Sequence, residues 1–223
     1  LVGSEMCIRD SLESLPTDCG AVTCRLRPFA PDYAGSEVVV DHPGALQSAV
    51  VMSIPAIDRS HPDYCALRLA TMALGGYFGS RLMTNLREDK GLTYGVTAGL
   101  YGYREGSAVM VSTQCDNRSV KSVVDETVNE IKKLADNPPE GEELNRLIQT
   151  ASTGLASMLV SPFNVINHIA AERLTGTPVD YFDRQQTAVA SLSAETIGNC
   201  ARRYLDPDKM LIAVVGDCST MVK

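Results

Sequence analysis

The stretch Leu74-Gly75-Gly76-Tyr77-Phe78-Gly79-Ser80-Arg81-Leu82-Met83-Thr84-Asn85-Leu86-Arg87-Glu88-Asp89-Lys90-Gly91-Leu92-Thr93-Tyr94-Gly95-Val96 joins a helix end, a short helix and a strand in one run. The glycine pair stops an apolar-periodic segment, because glycine loses the most freedom on entering a helix. Ser80 opens a short helix in which Leu82 and Leu86 share a face, and Gly91 suits the left-handed position that ends it. Arg87, near that helix end, carries a permanently charged fork of five donors, and Tyr94, at the start of the strand, offers a phenolic donor. The reversal at Gly91 lets both face one cleft and donate to carbonyl oxygens of an extended peptide. The structural alternative is a salt bridge from Arg87 to Glu88 or another carboxylate, with Tyr94 as a half-buried strand aromatic.

The flanking sequence alternates strands and helices. Residues 20–27 and 46–54 are rich in β-formers, the latter bounded by Pro43-Gly44 and Pro55. Pro62 to Leu74 has apolar residues at helical spacing. Thr93 to Tyr103 alternates as a strand, and a turn at 104–106 leads to a partner strand over Ala108–Thr113. Asn117 is placed as the cap of a helix carrying Val120, Val123, Val124, Val128, Ile131 and Leu134, which Asn137-Pro138-Pro139 breaks. Leu144, Leu147, Ile148, Ala151 and Leu155 form the next stripe. Ser161-Pro162 opens a third helix that Gly176 and Pro178 terminate. Helices follow over 179–190 and from Ser193 to Tyr204, and Lys209 to Val215 is an apolar strand. The pattern predicts an α+β fold, one sheet with helices packed on one face.

Composition narrows the function. With 223 residues, 44% apolar and 21% charged, the chain is long enough for one well-buried core. The net charge of −7 and the scattered Lys and Arg exclude a nucleic-acid surface. No run of about 18 apolar residues offers a membrane span, and no secretion signal is visible. A signal ahead of Leu1 stays open. Residues 1–14 lack periodicity, and Met6-Cys7-Ile8-Arg9-Asp10-Ser11 resembles translated adapter or vector sequence, so the domain is taken as 15–223. Seven cysteines without a CxxC read as buried free thiols, which lean toward a reducing compartment such as the cytoplasm.

The usual catalytic signatures are missing. His42, His61 and His168 stand in no HExxH or HxxEH, and His168 with Glu172 is a lone helical pair. There is no GxSxG. Gly75, Gly76 and Gly79 lack the preceding strand and Gly-Lys-Ser/Thr ending of a phosphate cradle; they read as a helix stop and close backbone crossing, with nucleotide binding the last-ranked alternative.

The run from Gly75 to Val96 resembles the signature of the C-terminal domain of the M16 (pitrilysin and insulinase-like) zinc metallopeptidases, and the resemblance extends from about residue 20 to Val215. It implies a single mixed, largely antiparallel sheet with helices on one face. It also implies a clam-like chamber in which a separate N-terminal domain or subunit bears HxxEH and the zinc, so this chain holds no metal or catalytic residue of its own. Arg87 and Tyr94 match the pair that reaches the substrate backbone near the scissile bond. The chain is thus expected to be the substrate-binding, non-zinc-bearing domain of a metalloendopeptidase, inactive alone, with a catalytically inactive M16-like structural subunit as the alternative.

Overall fold

Every second side chain of the central strand is buried, and that alternation sets the architecture. In β2 (Gln47–Ala56), Ser48, Val50, Met52 and Ile54 are buried while the residues between them are exposed or half-buried. The computed structural model describes residues 35–103 and 106–221, together with Asp10, Glu13 and Ser14. The expected strand at 20–27, most of the 1–14 segment, and Arg104 and Glu105 of the expected turn lie outside the described residues.

β2 lies at the centre of a five-stranded sheet of order β1-β5-β2-β4-β3, with β1 at Glu37–Asp41, β3 at Thr93–Tyr103, β4 at Gly106–Asp116 and β5 at Leu211–Gly216. β1 runs parallel to β5 and every other pairing is antiparallel. The mixed, largely antiparallel sheet expected from sequence is therefore present. β1 was not foreseen: its five residues are all exposed, so Glu37-Val-Val-Val-Asp41 carries no alternation for a sequence reading to detect.

The helices are α1 (Tyr64–Gly75), α2 (Val120–Asp136), α3 (Gly141–Met158), α4 (Pro162–Thr175), α5 (Tyr181–Ala190) and α6 (Ala194–Tyr204). They cover the sheet face that carries Val50, Met52, Val96, Val109, Val111 and Val214, and Leu67, Leu74, Ile131, Leu147 and Ile197 complete one core with them. α1 packs on β3, while α6 bridges α1 and α2. The opposite sheet face, with Ala49, Thr97, Ser112, Gln114 and Val215, is exposed.

Ser161 and Ser193 cap their helices as expected, accepting from the backbone N–H of Phe163 and Thr196. Gly176 closes α4 in the left-handed conformation. Asn117 does not cap α2. It is buried, accepts from Ser48 Oγ at 2.7 Å and donates to the Ala45 carbonyl at 2.8 Å, so its amide ties β2 to the preceding loop, and Asp116 caps the short turn over Asn117–Ser119 instead. Lys209 falls in a 3₁₀ turn, so the last strand begins at Leu211.

α1 ends where it meets β3. A Cβ on Gly75 would lie 2.6 Å from Ala98 Cβ and 2.8 Å from Ala98 N. Gly154, in α3, faces open space, and a Cβ there would meet nothing within 4 Å. Gly75→Ala should therefore destabilise the fold by about 1–3 kcal/mol through overpacking, whereas Gly154→Ala should stabilise it by about 0.5–1 kcal/mol through helix propensity; urea midpoints measure both.

Burial pushes the Cys115 and Cys200 thiols up to about 11 and also raises Cys65; Cys218 is raised too, by desolvation and its hydrogen bond to Asp41, but of these four thiols it is the exposed one. Iodoacetamide at neutral pH should thus alkylate Cys218 in the native protein, and Cys65, Cys115 and Cys200 only after unfolding, as read by peptide mass spectrometry.

Candidate functional site

The segment after α1 is a π-helix over Met83–Asp89 rather than the ordinary short helix that the Leu82 and Leu86 spacing suggested. Lys90 N–H reaches back five residues to the Asn85 carbonyl at 3.1 Å, and Leu92 N–H reaches the Leu86 carbonyl at 2.8 Å. Gly91 between them has φ +60°, the left-handed conformation expected of it. Leu82, Met83 and Leu86 are buried beneath this turn. Such widened turns recur at functional positions because they re-aim side chains.

Polar contacts hold the segment to α2 and α3. Asn85 Nδ2 donates to Glu126 Oε2 at 3.2 Å and to Glu130 Oε1 at 2.6 Å; Glu130 is only 6% exposed and also accepts from Lys133. Lys90 pairs with Glu126 at 2.5 Å, and Lys90 with Asn85 holds that carboxyl below its ordinary pKa. Arg81 makes a bidentate pair with Glu143 at 2.7 and 3.0 Å.

Arg87 is different. Among the described residues its side chain has neither a hydrogen bond nor a carboxylate within ion-pair reach. Its guanidinium carbon lies 5.0 Å from the centroid of Phe78 and 5.1 Å from that of Tyr94. The salt bridge to Glu88 weighed as the structural alternative is therefore not formed. Aromatic contacts engage the faces of a guanidinium and leave its N–H edge available, so Arg87 is positioned without using its donors.

Tyr94 is 88% exposed rather than half-buried. The register of β3 on β4 shifts between Thr93 and Val96, a bulge that sets Tyr94 outside the regular alternation. Thr93 and Thr113 pin it: their hydroxyls lie 2.8 Å apart, and Thr93 donates to the Gln114 carbonyl while Thr113 donates to that of Gly95. The structure thus brings the two sequence-predicted residues together. Phe78 was missed, because an exposed aromatic nine positions before an arginine has no periodicity that joins the two.

The other candidates separate. His61 packs edge-on against Tyr204, and its Nδ1 accepts from Asp63 N–H. Among the described residues no group of three or more His, Cys, Asp or Glu is placed to hold a metal ion. Gly75 and Gly76 are the helix stop and close crossing, packed on Ala98 and Met72.

Residues 5–151 match the family described as the peptidase M16 inactive domain. An uncharacterized zinc protease of Streptomyces coelicolor is 23% identical over 159 residues, covering 71% of this chain and 35% of its own length. A peptidase M16 inactive domain of Pseudomonas fluorescens superposes with a TM-score of 0.79 at 23% identity, over 99% of this chain and 52% of the other. A protease from Helicobacter pylori gives 0.80 at 18% identity, over 93% and 50%. The chain spans about half the length of these solved structures and about a third of the curated relative.

The ring contacts of Arg87 are testable by themselves. A double-mutant cycle of Phe78→Ala with Arg87→Ala should return a coupling of about 0.5–1 kcal/mol in unfolding free energy, and a cycle of Glu88→Ala with Arg87→Ala should return none.

Proposed function

We propose, for a chain that belongs to the peptidase M16 inactive-domain family, that Arg87 and Tyr94 hold the backbone of a polypeptide substrate for a zinc-bearing M16 domain or subunit. The observation that carries the reading is the guanidinium of Arg87, set against two rings with its N–H donors unengaged among the described residues, beside the exposed side chain of Tyr94.

An extended peptide presents carbonyl oxygens to such donors. Arg87 would grip two of them, or one twice, and Tyr94 would add a third donor from the neighbouring strand. Donors fixed before the substrate arrives orient the peptide at little reorganisation cost. They also stabilise negative charge as it grows on a carbonyl oxygen under attack. The pinned threonine bulge and the clasped π-helix supply the rigidity that this role needs.

Zinc does not fit the described residues, which offer neither HxxEH nor a three-ligand cluster. Hydrolysis therefore belongs to an assembly with a zinc-bearing half, and this chain contributes positioning. In that assembly, Arg87→Ala and Tyr94→Phe should each lower kcat/KM for peptide hydrolysis by about tenfold or more while zinc content stays unchanged. Unimpaired hydrolysis in both variants would remove the role and leave a structural subunit as the better reading.

A further inference from the structure

Between α1, α3, α5 and the outer strand β3 lies a cavity of about 470 Å³, within the size range of small-molecule sites. Cys65, Leu69 and Met72 line it from α1 and Ala151, Leu155 and Met158 from α3, each set spaced by three or four residues so that one face of each helix looks inward. Gly154 of α3 belongs to the same lining. A Cβ there would meet nothing within 4 Å, so no packing contact requires a glycine in mid-helix, where it costs stability relative to alanine. The missing side chain widens the cavity instead.

The charge of this lining is one-sided. No Asp or Glu is part of it, although the chain carries 27 acidic residues against 20 Lys and Arg. Its one charged side chain is Arg68, which is exposed and therefore stands on the solvent side. Arg68 donates to the side-chain oxygen of Gln185, itself only 4% exposed, and pairs with no carboxylate among the described residues. A neutral amide partner orients a guanidinium without neutralising it, and the donors left over keep the fork that matches a carboxylate.

A polypeptide does not suit these walls. Its amides would need partners, and along β3 the Val96 N–H is taken by the Met83 sulfur, the Gly102 carbonyl by Arg59, and Ala98 lies under Gly75. An alkyl chain asks for no hydrogen bond, and flexible methionine side chains adapt to its shape.

We propose that this cavity binds a medium-chain fatty carboxylate, with the alkyl chain between α1 and α3 and the carboxylate on Arg68. At about 30 Å³ for each water-sized group, the cavity takes a chain on the order of ten to fifteen carbons. Burial of each methylene supplies affinity, and the unpaired guanidinium selects the acid over its alcohol. This site is separate from Arg87 and Tyr94 and does not rest on their role.

Isothermal titration calorimetry of the full chain with sodium decanoate, kept below its micelle concentration, tests the assignment. Decanoate should bind saturably at one site per chain, octanoate roughly tenfold more weakly because two methylenes are lost, and decanol at least about fivefold more weakly because the charged partner is lost. Arg68→Met, a surface substitution, should bring decanoate to the level of decanol and leave decanol binding unchanged. Gly154→Phe, which fills the cavity from an open helical position, should abolish binding of both without lowering the melting temperature. Arg87→Ala should leave decanoate binding unchanged, so this site and the Arg87 reading fail independently. Absence of saturable decanoate binding, equal affinity for decanol, or full decanoate affinity in Arg68→Met or in folded Gly154→Phe would each overturn the proposal. Tighter binding of a valine–leucine hexapeptide than of decanoate would overturn it too, by making the cavity a peptide site.

Discussion

The approach of α1 to β3 at Gly75 and Ala98 leaves no room for a methyl group, and the rest of the site is laid out from that contact. Because the helix must stop against the strand, the chain leaves α1 beside β3 and returns to it within one short π-helix. Arg87 and Tyr94 are consequently close in space while belonging to different elements. A helix packed one residue longer would carry the following turn off the strand, and Arg87 would no longer meet both rings.

Much of this was legible in the residues. The glycine pair, the left-handed Gly91, the serine caps and the alternating strands each reflect a local backbone constraint that a residue type advertises. What escaped was non-local or rested on absent signals. Phe78 joins the site only through the fold, and β1 is exposed along its whole length. Asn117 has the chemistry of a cap, but burial beside Ser48 gave its amide a long-range role that nothing in the flanking sequence announces. The π-helix keeps the apolar spacing of an ordinary helix turn, so periodicity could not distinguish the two.

The two faces of the sheet divide the labour. One carries the helices and nearly all of the buried apolar residues, and supplies the stability. The other is exposed, with small and uncharged side chains such as Ala49, Thr97, Ser112 and Gln114 across its middle. Tyr94 stands beside that open face at the bulge.

The π-helix also sets a phase. A π-turn holds more residues than the 3.6 of an α-turn, so winding Met83–Asp89 as an ordinary α-helix with no residue removed would carry Arg87 further round the axis relative to β3. Arg87 would then point away from Tyr94 even though every side chain of the motif were still present. In this family member, the winding between Leu82 and Gly91 is as much a determinant of where Arg87 points as residue identity.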